Sequence, residues 1–434
     1  MGTPTMTQRA INDMEAAIAE RARKVLPAGG FGNVSFDVVI REGRGGRVWD
    51  ESGNEYLDFL LGSGPMLVGH AHPHVTAAVQ EQVAKGSTFF ANNEAGVQLA
   101  EAIVDAVACA EKVRFLSSGS EATFYAMRVA RAWRQRSKIL KFEGGFHGMS
   151  DYALMSMAPV RPGNFPQATA DTAGIPDTVS DEILIAPFND IDTAVSLIRE
   201  HQDELAGVIV EPLQRMIPPE PGFLESLRDV TREFGLALIF DEVVTGFRFA
   251  YGGAQELYGV TPDLCALGKV IGGGYPLSAV AGREECMKYF DAREVGVENA
   301  VKQIGTLSGN PVAAAAGLAT LEILQTPGTF ENLFSTGQRL MDGLTALIAK
   351  HGVKGQVRGV PPMFDILFTD ADVKDYRSAA QSDSAMLKVF NEQVLLGGLL
   401  KGDNKFYVST AHTIEDIEEA LAICDVALTA VAKE

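Results

Sequence analysis

The feature that most constrains the fold is an alternation of short apolar runs with longer amphipathic segments, which begins near residue 75. Short strands that alternate with helices are typical of a mostly parallel sheet covered by helices on both faces. We therefore predict an α/β fold for the middle of the chain. The predicted strands span residues 113–116, 138–142, 207–210 and 237–240, and the predicted helices span 74–86, 97–109, 120–135, 191–201 and 224–234.

The two ends of the chain carry a different pattern, with helices and strands that do not alternate regularly. We expect residues 1–70 to contribute to a smaller domain, residues 71–320 to form a large domain, and residues 321–434 to complete the smaller α+β domain. The predicted elements at the ends are helices at 6–25, 311–324 and 414–432, two strands within 46–61, and strands at 363–368 and 406–409.

The composition argues against several classes of protein. The net charge is −19 and no apolar stretch reaches about 18 residues, so we expect neither nucleic-acid binding nor a membrane span. The four cysteines lie far apart and lack zinc or disulfide spacing, which favours a cytoplasmic protein. His70, His72 and His74 lie close together, but no carboxylate or cysteine has a matching spacing, so we expect no metal.

Two charged residues follow apolar runs in the middle of the chain. Asp241 comes directly after a predicted strand, where ligands bind in parallel α/β sheets. Lys269 follows a second apolar run and precedes a glycine-rich stretch, and an apolar setting makes a lysine a better nucleophile. Each residue alone is also compatible with an ordinary loop. A nucleophilic lysine and an acid at the pyridine nitrogen are, however, the pair that a pyridoxal 5′-phosphate (PLP) enzyme needs.

Two further loops lie at predicted strand ends. Residues 117–123 are small and rich in hydroxyl groups, and they lead into a helix whose N-terminus could bind a phosphate or could be an ordinary N-cap. Residues 144–148 place Phe146 and His147 between glycines, where the ring of Phe146 could lie on a cofactor or simply pack. Residues 151–182 contain four prolines and little periodicity, so this long segment is either functional or disordered.

In this order and spacing, these segments resemble the class III aminotransferases, which have PLP fold type I. The resemblance is carried by residues 238–283, by KFEGGFHG from Lys141, by GVIVEPL from Gly207 and by GTLSGNP from Gly305. Within the family, the glutamate-1-semialdehyde aminomutases are the most similar. The resemblance implies a large domain with a mostly parallel seven-stranded sheet and a smaller α+β domain built from both termini.

The resemblance also implies a role for each residue of the site. Lys269 would carry PLP as a Schiff base, and Asp241 would pair with its pyridine nitrogen. The other implied contacts are Ser118, Gly119 and Ser120 with the phosphate, Phe146 and Val243 with the ring faces, His147 and Glu211 near the ring, and Thr306 with the phosphate bound by a neighbouring subunit. The last contact implies a homodimer with shared active sites.

The departures from the family pattern concern the substrate. The aminomutases bind the substrate carboxylate with an arginine near the N-terminus, whereas residues 29–36 here contain no cation and include Phe31 and Phe36. We therefore predict an aminotransferase that moves an amino group from an amine or amino-acid donor to a keto-acid acceptor by ping-pong chemistry. The alternative is intramolecular transfer of the aminomutase type. Phe89 and Phe90 are candidates for the same apolar wall, and Lys401, Lys405 and Arg161 are candidates for holding the keto acid.

Overall fold

The computed structural model describes residues 9–34 and 37–433, which form two compact units. The larger unit contains His74–Thr326 and Asp372–Ala380. The smaller unit contains the described residues up to Pro73, the segment Pro327–Ala371 and the described residues from Gln381 onward. Both ends of the chain thus contribute to the smaller unit, while the domain boundaries at residues 70 and 320 stay a proposal.

The described residues form strands and helices in the following order. The strands are β1 Ile40–Arg44, β2 Arg47–Asp50, β3 Glu55–Asp58, β4 Lys112–Leu116, β5 Lys138–Phe142, β6 Ile183–Ala186, β7 Leu205–Val210, β8 Ala237–Glu242, β9 Leu264–Leu267, β10 Ser278–Gly282, β11 Gln356–Val360, β12 Met363–Leu367, β13 Leu399–Leu400 and β14 Phe406–Tyr407. The helices are α1 Asp13–Val25, α2 Pro73–Val83, α3 Glu94–Ala106, α4 Gly119–Arg134, α5 Ile191–His201, α6 Phe223–Glu233, α7 Gly253–Tyr258, α8 Glu284–Met287, α9 Ala292–Val295, α10 Pro311–Leu324, α11 Thr329–His351, α12 Tyr376–Ala379, α13 Ser384–Leu396 and α14 Ile414–Val431. None of the described helices is long and apolar enough to span a membrane.

The larger unit is built on a seven-stranded sheet with the order β4-β10-β9-β8-β7-β5-β6. β10 runs antiparallel to both of its neighbours, and the other six strands run in one direction. β7, β8 and β9 are buried along their whole length, as strands covered on both faces must be. The predicted mostly parallel sheet is therefore confirmed, and the four predicted strands correspond to β4, β5, β7 and β8.

The smaller unit contains two sheets. In the first, β1, β2 and β3 are antiparallel neighbours, and β13 joins β3 in parallel. The second sheet has the order β11-β12-β14 and is antiparallel. The predicted strand pair within residues 46–61 is confirmed. Helix α1 begins later than predicted, because Asn12 caps it by accepting a hydrogen bond from Glu15 N, and residues 6–8 lie outside the described residues.

The segment 151–182 contains no α-helix or named strand among its described residues, as predicted. Two isolated bridges and a 3-10 turn, Asp177–Glu182, provide its local order. The side chain of Lys141 on β5 is fully buried against this segment, and its Nζ donates to the carbonyl oxygens of Ala153 at 2.6 Å and Met155 at 2.7 Å. The segment is therefore irregular but fixed to the sheet near the strand ends.

Candidate active site

The loops that follow β4, β5, β7, β8 and β9 lie at one edge of the larger sheet, because these strands run in the same direction. In the parallel pair β8–β9, Asp241 lies opposite Ala266. Lys269 comes just after β9, so Asp241 and Lys269 lie at the ends of neighbouring strands. The same edge carries the other predicted residues of the larger unit except Thr306, namely Ser118, Gly119, Ser120, Phe146, His147, Glu211 and Val243.

The carboxylate of Asp241 is buried and lies next to the imidazole of His147. Asp241 Oδ2 is 2.8 Å from His147 Nδ1, and Asp241 Oδ1 accepts a hydrogen bond from Val243 N at 3.1 Å. Burial lowers the pKa of His147 to about 3, so this imidazole is neutral at physiological pH. A neutral imidazole that faces a carboxylate donates from Nδ1. The other ring nitrogen, Nε2, is buried without a partner among the described residues.

Lys269 has an unusual backbone conformation for a residue with a side chain. Its φ is +46°, in the left-handed region, and it begins the short 3-10 turn Lys269–Gly272. The preceding Gly268 is packed so tightly that an added Cβ atom would lie 3.1 Å from Val243 Cγ1. Non-glycine residues in strained conformations occur often at functional sites, because the surrounding structure must hold them there. The backbone of Lys269 is therefore consistent with a functional position.

The turn between β4 and α4 is a capped helix N-terminus. Ser118 is the N-cap, its hydroxyl accepts from Glu121 N, and the Glu121 carboxylate accepts in return from Ser118 N at 2.8 Å. The capping alternative considered for this motif is thus present at Ser118. Gly119 and Ser120 follow in the first turn of the helix, where backbone N–H groups point outward and can bind an anion.

The side chain of Val243 packs between Gly119 in this turn and Gly268, the residue before Lys269. A Cβ atom added at Gly119 would lie 2.8 Å from Val243 Cγ1, closer than side chains normally approach. We expect Gly119→Ala to lower the thermal unfolding midpoint of the apoprotein by a few degrees, because overpacking costs about 1–3 kcal/mol. The double variant Gly119→Ala/Val243→Ala should recover part of this loss in a thermal melt. If the falls in unfolding midpoint of Gly119→Ala and Val243→Ala simply add in the double variant, the close contact between these two residues is contradicted.

The loop after β5 is held by partners from several other segments. Phe146 N donates to Glu211 Oε2 at 2.8 Å, which links this loop to the residue that follows β7. The carbonyl oxygen of His147 accepts from Thr123 Oγ1 on α4 at 2.6 Å. The ring of Phe146 remains about one-third exposed, with 37% of its surface accessible. The loop thus presents an aromatic ring in a fixed position at the edge of the sheet.

Sequence analysis missed an ion pair that also fixes this loop. The buried carboxylate of Glu143 accepts two hydrogen bonds from Arg377, from Nε at 2.7 Å and from Nη2 at 3.0 Å. Arg377 Nη2 also donates to the carbonyl oxygen of Gly163 at 2.7 Å, and Tyr376 packs against Gly144. No local sequence pattern links Arg377 to Glu143. A charged residue directly before the glycines of the motif was the only available signal.

Arg215 was also missed by sequence analysis. It lies four residues after Glu211 in the loop that follows β7, and its Nε donates to the carbonyl oxygen of Gly144 at 2.8 Å. Its Nη2 donates to the carbonyl oxygen of Met157 at 3.2 Å, and its Cζ lies 5.5 Å from the centre of the Phe146 ring. A cation thus lies beside the aromatic ring at this edge of the sheet.

Thr306 lies in the turn that precedes α10. The turn is closed by a hydrogen bond from Ser308 N to Gly305 O, and Gly309 O accepts from Asn93 Nδ2 at 2.8 Å. Thr306 itself is exposed. Its exposed position leaves its side chain accessible to another molecule.

The residues considered for the substrate pocket have varied environments. Phe31, Phe89 and Phe90 are exposed, whereas Ser35 and Phe36 lie outside the described residues. Among the cations considered for the keto acid, Lys401 is buried in the smaller unit, where Nζ donates to Asp365 Oδ2 at 3.2 Å and to Asn391 Oδ1 at 2.9 Å. Moving Lys401 out to a ligand would leave the buried Asp365 carboxylate unpaired, which is costly.

Comparison with known proteins places the chain in a family. The family profile described as Aminotransferase class-III matches residues 31–428. An omega-transaminase from Sphaerobacter thermophilus is 38% identical with a TM-score of 0.92, and the match covers 96% of this chain and 97% of that chain. A beta-phenylalanine aminotransferase from Variovorax paradoxus is 29% identical with a TM-score of 0.84, covering 96% of this chain and 93% of that chain.

A glutamate-1-semialdehyde aminomutase from Pseudomonas aeruginosa has the same fold. It is 22% identical with a TM-score of 0.87, covering 96% of this chain and 94% of that chain. The predicted PLP fold type I is thereby confirmed. Because the family profile spans nearly the whole chain, the chain belongs to the class III aminotransferases and is a PLP-dependent transaminase.

Proposed function

We propose that this transaminase takes its amino group from a donor with an apolar body and transfers it to a keto acid, with Lys269 as the residue that binds the cofactor covalently. The observation that carries the proposal is the placement of Lys269 and Asp241 at the ends of the neighbouring strands β9 and β8. A nucleophilic lysine and a buried carboxylate are the two groups that a PLP enzyme has to supply.

The chemistry of the loops fits PLP. Gly119 and Ser120 lie at the N-terminus of a 16-residue helix, where N–H groups and the helix dipole favour a phosphate. Gly119 and Gly268 both pack closely against Val243, where a Cβ atom would lie 2.8 Å and 3.1 Å from its Cγ1. The ring of Phe146, about one-third exposed, offers an aromatic surface at the same edge. When bound, PLP supplies an aldehyde that accepts the amino group and a ring that accepts electrons.

We assign the remaining steps to the side chains of this chain. Lys269 Nζ would move the proton to and from the donor carbon. Asp241 would hold a proton at the ring nitrogen, and the neutral imidazole of His147 would keep Asp241 ionised by donating to Oδ2. Glu211 would act near the hydroxyl of the ring while it fixes Phe146 N.

The donor class is inferred from the residues that this chain lacks. The segment 29–36 contains no cation, so it cannot hold a donor carboxylate as the aminomutase arginine does. The relatives named as an omega-transaminase and a beta-phenylalanine aminotransferase support an apolar amine or a β-amino acid as donor. We also propose a homodimer, in which the exposed Thr306 of each subunit would reach the phosphate bound by its partner.

We expect glutamate-1-semialdehyde to be a poor substrate compared with hydrophobic amines. Segment 29–36 offers its carboxylate no counterpart of the aminomutase arginine, and the loss of one charged hydrogen bond costs about 1.5–3 kcal/mol, about 10- to 100-fold in rate. The measurement is a panel of donors, including β-amino acids, followed by loss of the cofactor absorbance and its return with a keto acid. The highest specificity constant for the semialdehyde, with no second substrate needed, would establish the aminomutase reaction instead.

A further inference from the structure

We propose that Arg215 holds the carboxylate of the keto-acid acceptor. The inference rests on the proposed function, because it assigns a residue to a substrate of the same site. Three features of the loop after β7 support it, namely its backbone conformation, the hydrogen bonds of the guanidinium and the reach of its charge.

The backbone at Arg215 is held in a turn that does not suit its sequence. Gln214 N donates to Ile217 O at 3.1 Å and Ile217 N donates to Gln214 O at 2.8 Å, so Arg215 and Met216 are the two central residues of a tight turn. Their φ angles are +51° and +70°, the pattern of a type I′ turn, which favours Gly, Asn and Asp at both positions. An arginine kept in such a conformation beside an active site indicates a functional demand on its side chain.

The guanidinium of Arg215 is fixed by its neighbours but not neutralised by them. Its two hydrogen bonds, to Gly144 O and Met157 O, both go to uncharged carbonyl oxygens. Among the residues that the structure describes, these bonds use the Nε N–H and one N–H of Nη2, which leaves one N–H of Nη2 and both of Nη1 for a ligand. Arg215 is half-buried, and its guanidinium lies beside the ring of Phe146. A fixed guanidinium is the best partner for a carboxylate, because its planar fork donates to both oxygens.

The charge of Arg215 reaches the buried groups of the site. Burial is the main cause that lowers the pKa of His147 to about 3 and that of Lys141 to about 7, and the positive charge of Arg215 lowers both further. Asp171, Glu211 and Asp241 act on Lys141 in the opposite direction, so Arg215 is a cation among carboxylates at this edge of the sheet. The hydrogen bonds of Arg215 go to carbonyl oxygens, so its charge is available to attract an anionic keto acid.

Arg377 provides a matched control for a purely structural role. Like Arg215, it braces the loop that presents Phe146, in this case through Glu143. Unlike Arg215, its guanidinium is paired with a carboxylate, so it is not available to a substrate. A variant at Arg377 therefore measures the effect of a loosened loop without loss of a substrate cation.

The test compares Arg215→Met, Arg215→Lys and Arg377→Met in the holoenzyme. Each enzyme is first treated with an amine donor, so that its cofactor carries the amino group. It is then mixed with pyruvate or with butanal, an acceptor without a carboxylate, and the return of the cofactor absorbance is followed. We expect Arg215→Met to lower the pyruvate-to-butanal ratio of specificity constants by about 10- to 100-fold, the value of a charged hydrogen bond. Arg215→Lys should restore part of the ratio, and Arg377→Met should slow both acceptors alike.

A binding measurement provides a readout that does not depend on turnover. Propanoate, a carboxylate that cannot accept an amino group, is titrated against each holoenzyme while the cofactor spectrum is recorded. The affinity for propanoate should fall in Arg215→Met by about the same factor as the pyruvate-to-butanal ratio of specificity constants. In Arg377→Met the affinity for propanoate should stay at the wild-type value. An unchanged ratio and unchanged propanoate affinity in Arg215→Met, or an equal loss with both acceptors, would overturn the assignment.

Failure of this inference differs from failure of the proposed function. If Arg215 does not bind the carboxylate, the wild-type enzyme still transfers amino groups to pyruvate and Arg215→Met keeps the wild-type preference. If the proposed function is wrong, the wild-type enzyme itself transfers no amino group to pyruvate from any donor of the panel.

Discussion

Lys269→Ala is expected to lose turnover by at least about 10⁴-fold, because the same side chain would bind the cofactor and move the proton. PLP should still bind to the variant without a covalent bond, held by the helix N-terminus at Gly119 and by Asp241. The measurement is steady-state turnover together with borohydride reduction and peptide mapping. The adduct should be found on Lys269 in the wild type and should be absent from the variant.

Lys141 makes this experiment discriminating. Burial lowers the pKa of Lys141 to about 7, and its ammonium interacts electrostatically with Asp241, so it is the rival candidate for covalent attachment. Its Nζ is nevertheless engaged by the carbonyl oxygens of Ala153 and Met155. A borohydride-stable adduct on Lys141 would show that the assignment of Lys269 is wrong. The exposed Lys112 serves as a control, and Lys112→Ala should keep full activity.

The second large effect is expected for Asp241→Asn, which should reduce the rate by about 10³-fold or more. Asparagine has nearly the same shape and can still accept from Val243 N, so the fold should persist. It cannot balance a positive charge on the ring nitrogen, however. Each unit by which the pKa of that nitrogen falls corresponds to about 1.4 kcal/mol. The measurement is the rate of the donor half-reaction, with thermal melting as a check on folding.

The neighbouring residue is the control for this experiment. Glu242 lies next to Asp241 on β8, is fully buried, and accepts hydrogen bonds from Thr245 Oγ1 and Ala254 N. Burial raises the pKa of Glu242. Glu242→Gln should therefore affect stability more than rate. A loss of less than about tenfold in Asp241→Asn would mean that Asp241 does not hold the ring nitrogen, since tenfold corresponds to a single pKa unit.

The parts of the site that sequence analysis found have local signals. Asp241 and Lys269 each follow an apolar run, and the rule that ligands bind at strand ends is enough to bring them together. Ser118 and Glu121 have the spacing of a capping box, which the structure contains. The sheet could be predicted for the same reason, because its buried parallel strands are short, apolar and separated by amphipathic helices.

The parts that sequence analysis missed depend on partners distant in the chain. Glu143 and Arg377 pair across more than half of the sequence, and neither residue carries a local mark of the other. The antiparallel direction of β10 depends on which strands it pairs with, not on its own residues. The turn at Arg215 lacks the glycine or asparagine that would have indicated it. Lys401 appeared available in the sequence, but its partner Asp365 is known only from the fold.

The parallel pairing of β13 with β3 has a consequence for synthesis on the ribosome. Leu57 is made early but pairs with Leu399, whereas the larger unit needs little beyond the contiguous stretch His74–Thr326. Domains generally fold as units while the chain grows. The seven-stranded sheet can therefore assemble first, before β13 has been made and can pair with β3. During that interval Glu143 also lacks Arg377, so the loop that presents Phe146 acquires this one of its braces only after residue 377 has been made. The support of Phe146 would then be completed later than the sheet that carries it.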